Sequence, residues 1–180
     1  MRLFVGIDLP EQLKETMVEF QSELRQLGVR AAWKAPENFH LTLEFLGEHE
    51  PGSIAVISRA LVQGAVASSP FLLNIGGLGA FPNLARPRVL WTGVGGRLPE
   101  LNQLQANIHR ELLESGFTLD NRNFKSHITL AARPDLPEIN FVNLKKKILG
   151  EFLVTEFALI ESRAIRGKRI YTAVEEIKLS

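Results

Sequence analysis

The spacing of apolar positions changes several times along the chain, and each change marks an element. Arg2 to Ile7 is rich in β-forming residues and predicts a strand. Asp8-Leu9-Pro10-Glu11 then has the marks of a helix start, with proline early and an acidic first turn. Leu13, Met17, Phe20, Leu24 and Leu27 recur every three or four residues, so an amphipathic helix is expected over about 10–27, closed by Gly28. Val29 to Trp33 predicts a short strand. Pro36-Glu37-Asn38 predicts a turn into a strand over about 39–46, which Gly47 ends. Ser53 is the expected N-cap of a helix over roughly 54–66, built on Ile54, Ile57, Leu61, Val62 and Ala65.

In the second half, Phe71 to Leu78 predicts a strand, with a bulge or close backbone approach at Gly76-Gly77. Gly79 to Pro87 is expected to be a loop and Arg88 to Val94 a strand. Leu101, Leu104, Ile108, Leu112 and Leu113 predict a helix over about 98–115 that stops at Gly116. Phe124 to Ala131 predicts a strand and 134–137 an irregular segment. A helix is expected near 141–149, with Lys145-Lys146-Lys147 on a solvated face. Phe152 to Glu161 and Arg169 to Lys178 are the last expected strands, joined as a hairpin through Arg166-Gly167-Lys168. The element order of the two halves is approximately duplicated, although their sequences differ. The expected class is α+β, with mostly antiparallel sheets and helices on the outer side.

Composition narrows the class without changing it. A chain of 180 residues fits one domain, taken as 1–180 with no dividing linker. Apolar residues are 45% and charged residues 23%, ordinary globular usage. A net charge of +1 excludes polyanion binding by bulk charge, so any affinity for RNA must come from a local patch. There is no cysteine, hence no disulfide and no thiolate metal site, which is compatible with a reducing cytoplasm. The N-terminal stretch is too short and acidic for a signal peptide, and no apolar run approaches the ~18 residues of a membrane span. A cytoplasmic monomer without a membrane partner is the expectation.

The candidate chemistry lies in Phe39-His40-Leu41-Thr42-Leu43 and Lys125-Ser126-His127-Ile128-Thr129-Leu130, nearly half the chain apart. In a strand, alternate side chains share a face. His40 and Thr42 therefore face away from Leu41 and Leu43, and His127 and Thr129 away from Ile128 and Leu130. Each stretch can bury its aliphatic side and present an imidazole and a hydroxyl to a cleft. Brought side by side, two imidazoles can act as acid and base while two hydroxyls hold anion oxygens. A phosphodiester suits such a site. His49, in a polar turn, and His109, in a helical pattern, lack this context and are expected to be ordinary surface or helix residues.

These residues carry a family resemblance. The chain resembles the RNA 2',3'-cyclic phosphodiesterases, also called bacterial and archaeal 2'-5' RNA ligases, of the two-histidine HxTx phosphoesterase superfamily. The landmarks are residues 2–10, Trp33, Pro36-Glu37-Asn38, the two His-x-Thr-x stretches, Phe45-Leu46-Gly47, 77–82, 86–91, Glu161-Ser162, Gly167 and Tyr171. The resemblance implies two pseudo-symmetric α+β lobes around a central groove, with a motif on the central strands of each lobe. It implies metal-independent hydrolysis of an RNA 2',3'-cyclic phosphate end to a 2'-phosphate, with no cofactor. In that scheme His40 is the proton donor, His127 the proton acceptor, and Thr42 and Thr129 bind phosphate oxygens. RNA ends, tRNA fragments among them, are the implied partners, and 2'-5' ligation is a related activity. Two departures stand out. Relatives commonly carry an arginine five residues after the second histidine, where this chain has Ala132; Arg133, one residue on, shares the strand parity of His127 and is the candidate replacement unless a bulge intervenes. Relatives also tend to have proline where Ser126 stands.

Other readings of the same residues remain open. Two histidines and two threonines fall short of the ligand set zinc prefers. A phosphodiesterase for small cyclic phosphates, of nucleotide or ADP-ribose type, would use the same site. A non-catalytic RNA-end-binding module would need no pair of titrating groups. Phe45, Phe81 and Trp33 are candidates for stacking on a base, and Arg86, Arg88, Arg163, Arg166, Lys168 and Arg169 for lining an RNA path.

Overall fold

The computed structural model describes residues 1–180. In chain order the elements are β1 (Arg2–Asp8), α1 (Glu11–Gln26), β2 (Arg30–Trp33), β3 (His40–Glu48), α2 (Ile54–Ala65), β4 (Phe71–Phe81), β5 (Val89–Gly96), α3 (Leu98–Glu114), β6 (His127–Asp135), α4 (Val142–Lys145), β7 (Ile148–Val154), β8 (Glu156–Ile165) and β9 (Lys168–Lys178). Single 3₁₀ turns at Pro36–Asn38 and Pro51–Ser53 lead into β3 and α2. The strands form a four-stranded sheet, β3-β1-β8-β9, and a five-stranded sheet, β2-β6-β5-β4-β7. Every pairing is antiparallel. The expected two-lobed α+β architecture is thus what forms.

The lobes do not follow the halves of the sequence. β1 and β3 from the first half pair with a sheet completed by β8 and β9, while β2 and β4 join β5, β6 and β7. The motif strands also differ from the central placement implied by the resemblance: β6 lies inside its sheet, but β3 is an edge strand. β3 and β6 therefore belong to different sheets and meet across the space between them.

Helix periodicity is realised as one-sided burial. Leu13, Met17, Phe20 and Leu24 of α1 are buried, and Gly28 at φ 97° closes the helix. In α3, Leu101, Leu104, Ile108 and Leu112 are fully buried. A Cβ on Gly64 of α2 would sit 3.0 Å from the Ile108 backbone, so the bare glycine is what lets α2 and α3 pack this closely. Ser53, expected to cap α2, makes no capping bond: its backbone is already helical within the preceding 3₁₀ turn, which removes the geometry an N-cap needs.

Three segments depart from the sequence expectation. The helix expected near 141–149 is only the single turn α4, and the chain becomes β7 at Ile148. Leu149, Phe152 and Val154 are buried while Ile148, Glu151 and Leu153 are exposed. The spacing of Phe141, Leu144 and Ile148 mimics a helix, but Gly150 breaks it and β4 offers an open edge to pair with. The strand expected over 152–161 is two strands in different sheets, separated at Thr155. β4 runs on to Phe81, through the part of the expected loop that pairs with β5, with an irregularity between Gly76 and Gly79 where a bulge was expected. The β8–β9 hairpin forms as expected, with Arg166 and Gly167 both at positive φ in a two-residue turn.

Candidate active site

The two motif strands share a local design. In both, the burial alternates from the histidine, with Leu41 or Ile128 inside and Thr42 or Thr129 toward the cleft. Both then carry a bulge at the same place. Across β1–β3 the partners step from Gly6↔Thr42 to Val5↔Glu44, and across β5–β6 from Trp91↔Thr129 to Leu90↔Ala131. The extra residue makes two neighbours point inward in succession, Leu43-Glu44 and Leu130-Ala131, and turns the next residue, Phe45 or Ala132, outward. The bulge thus places Ala132 on the His127 face. Arg133 is exposed at φ 48° and does not line the cavity that holds the two histidines.

That cavity has a volume of about 70 Å³ and is lined by Lys34, Asn38, His40, Thr42, Phe45, His127 and Thr129. It has room for about two water molecules, the scale of a phosphate group rather than a nucleoside. Both imidazoles are oriented by one device. His40 Nδ1–H donates to the Asn38 carbonyl at 2.8 Å, and His127 Nδ1–H to the Lys125 carbonyl at 2.6 Å. A carbonyl only accepts, so each neutral ring carries its proton on Nδ1 and keeps Nε2 as the base. His40 Nε2 accepts from Thr42 Oγ1 at 3.0 Å. Aromatic neighbours hold the rings: Phe4 and Tyr171 lie 4.6 and 5.0 Å from His40, and Phe81 lies 4.8 Å edge-on to His127.

Burial disfavours the charged form of both imidazoles. His40 is pushed down to about 4, by burial first and then by the positive charge of Lys34. His127 is also lowered by burial, with Lys34 adding to it against the Lys125 carbonyl bond. Lys34, Asn38 and Tyr171 join the site without being sequence candidates for it. Asn38 and Tyr171 stand among the family landmarks, and Tyr171 is the one tyrosine in the chain, which was the available signal. Lys34 offered none, because its place depends on β2 pairing with β6. Asn38 is buried, donates through Nδ2 to the Arg169 carbonyl at 2.9 Å, and leaves Oδ1 without a partner.

A second hollow of about 340 Å³ lies on the other side of His40 and Tyr171. Four carboxylates line it, Asp8, Glu37, Glu156 and Glu176, which disfavours a second phosphate there. Of the aromatic candidates, Phe45 lines the small cavity and is 61% exposed, free to meet a base. Phe81 instead props His127, and Trp33 lies under Arg25, whose guanidinium is 4.7 Å above its ring. His109 lies in α3 as expected, where its Nδ1 meets the buried Glu44 carboxylate at 2.7 Å, and His49 Nε2–H donates to the Leu46 carbonyl. No group of three or more His, Cys, Asp or Glu converges to hold a metal ion. No helix is long and apolar enough to cross a membrane.

The chain is similar to known proteins in sequence and in fold. Residues 7–91 and 96–171 match the LigT like phosphoesterase family. The RNA 2',3'-cyclic phosphodiesterase of Archaeoglobus fulgidus is 36% identical over 166 residues, covering 90% of this chain and 91% of that protein. The RNA 2',3'-cyclic phosphodiesterase of Geobacillus stearothermophilus is 34% identical over 130 residues, 72% of this chain and 41% of that protein. The crystal structure of E. coli LigT complexed with 3'-AMP superimposes with a TM-score of 0.80 at 30% identity, covering 99% of this chain and 98% of that one.

Proposed function

This chain belongs to the LigT like phosphoesterase family, and from that premise we propose that it hydrolyses RNA 2',3'-cyclic phosphate ends to 2'-phosphates without a metal. The observation that carries the proposal is the pair of imidazoles facing one phosphate-sized cavity, each locked through Nδ1 to the carbonyl two residues before it and each flanked by a threonine. The names of the curated relatives and the nucleotide bound to E. coli LigT support the substrate class.

The cyclic phosphate would sit between Thr42 and Thr129, whose hydroxyls donate to its non-bridging oxygens. His127 Nε2 takes a proton from water as the water oxygen bonds to phosphorus. The bond from phosphorus to the 3'-oxygen breaks, and His40 Nε2–H gives that oxygen its proton. The product is a 3'-hydroxyl beside a terminal 2'-phosphate. With an RNA 5'-hydroxyl in place of water, the same displacement yields a 2'-5' linkage. His40 is neutral in the empty site near pH 7, since burial and Lys34 lower it to about 4. The phosphodiester anion supplies the opposite charge beside the ring and draws the required proton onto it.

Incubation with oligonucleotides ending in 2',3'-cyclic phosphate, in excess chelator, tests the proposal. Turnover to 2'-phosphate is expected to be unchanged by the chelator. His40→Ala and His127→Ala should each lower kcat by roughly 10²–10⁴, and the double variant should be little worse than the poorer single one, because the two groups act as a unit. Near-parental kcat for either variant, or recovery of activity only with a divalent ion, contradicts the scheme.

A further inference from the structure

Building on the phosphodiester site above, we propose that Lys34 is its phosphate-binding cation, donating from Nζ to an oxygen of the phosphate held between the two histidine–threonine pairs.

Lys34 follows directly after β2, and its backbone is fixed on both sides. Its N–H donates to the Leu130 carbonyl at 2.9 Å, and its own carbonyl accepts from Gln21 Nε2 at 2.9 Å. From there the side chain crosses from one sheet to the other, and Nζ donates to Tyr171 Oη on β9 at 3.2 Å. Tyr171 is itself held, with its ring 5.0 Å from both Phe4 and His40. The ammonium therefore has a fixed position on the wall of the cavity that contains His40 and His127.

That ammonium is half-buried and has no counter-ion. No carboxylate forms an ion pair with it, and the other lining residues are the two histidines, two threonines, Asn38 and Phe45. Asp8, whose charge reaches His40, is occupied by Lys14 Nζ at 2.9 Å and by the Leu9 N–H. Of its three N–H groups one is spent on tyrosine, leaving two for a guest. A lysine with a purely structural role would be expected to find a carboxylate or to extend into solvent, because a partly buried, unpaired charge is costly. An anion in the cavity removes that cost. Cations fixed before the substrate arrives also stabilise charge that builds up on phosphate oxygens without reorganising. Arg133, the sequence-based candidate for this role, is outside the cavity lining.

The test uses inorganic phosphate as the probe, with the intact protein and the variants Lys34→Met and Lys34→Arg. Methionine keeps the aliphatic stem and removes the charge. Calorimetry is expected to show phosphate binding weakened roughly 10- to 100-fold in Lys34→Met and largely restored in Lys34→Arg. NMR titration of the imidazoles provides a readout independent of turnover. The groups facing Lys34 are His40, His127 and Tyr171, with Asp8 acting on His40, so removing the lysine charge should raise the midpoints of both histidines. Phosphate affinity within twofold of the parent in Lys34→Met, or unmoved imidazole midpoints, overturns the assignment. The substrate reading fails separately: a parent that binds phosphate through Lys34 but leaves RNA cyclic ends intact refutes that reading and retains the lysine.

Discussion

Each motif histidine is a ring clamped at one nitrogen and released at the other. The Nδ1 bonds reach the carbonyl two residues back, in the segment that leads into each strand, so the tautomer is set locally by how the chain enters the strand. The shared face of histidine and threonine was legible in the sequence, because period-two alternation sets it whatever else the fold does. The protonation state was not legible, because burial and Lys34 arrive from elsewhere in the chain. A pH prediction follows from these directions. kcat/KM reports the free enzyme, whose imidazoles both titrate below the ordinary value. Its bell should peak acid of about 6.5 and fall as pH rises, when the last imidazole proton is lost. kcat reports the complex, in which the bound anion favours the charged rings, so its bell should lie at higher pH. Coincident profiles from steady-state kinetics across pH 4–8 would count against anion-coupled protonation.

At the scale of elements, the matched bulges decide what each strand presents. A strand of unbroken parity would have directed Arg133 to the His127 side; the extra residue directs Ala132 there. Bulges are invisible to alternation counting, which is why the sequence could propose Arg133 but not place it. The same limit explains α4 and β7, where local spacing favoured a helix and the open edge of β4 favoured a strand. Behind the second bulge, Gln21 of α1 is 2% exposed and its Nε2 bonds both the Leu130 and Lys34 carbonyls. Behind the first, Glu44 points inward to His109 and Gln105 of α3. Each motif is thus buttressed by a helix through polar contacts. Gln21→Leu should cost about 1–3 kcal/mol, the penalty for a buried polar partner left unpaired. The urea midpoint should fall with an unchanged slope, and kcat should fall with it, since Thr129 and Lys34 flank the lost bonds. Unchanged stability and kcat would show that α1 does not support the site.

At the scale of the whole molecule, a net charge of +1 gives no general attraction for RNA, yet cations gather near the site. Arg163, Arg166, Lys168 and Arg169 lie on the β8–β9 hairpin, and the Arg169 carbonyl is tied to Asn38 of the cavity wall. Arg163 is engaged by Glu161, whereas no carboxylate pairs with Arg166, Lys168 or Arg169. An oligonucleotide cyclic phosphate should therefore be processed with higher kcat/KM than a mononucleotide, and added salt should shrink the advantage. Equal efficiency at low salt would favour a small-molecule substrate. The duplicated bulge has a further consequence. Each lobe brings the same imidazole, hydroxyl and strand kink, so the reacting centre is nearly a palindrome. In the proposed scheme a turnover begins with the proton on His40 and ends with it on His127. The spent site is then close to the fresh one with its two histidines exchanged. Chemistry alone does not reset it; a proton must pass back between the lobes, or exchange with solvent, before the next substrate meets the site in its starting state.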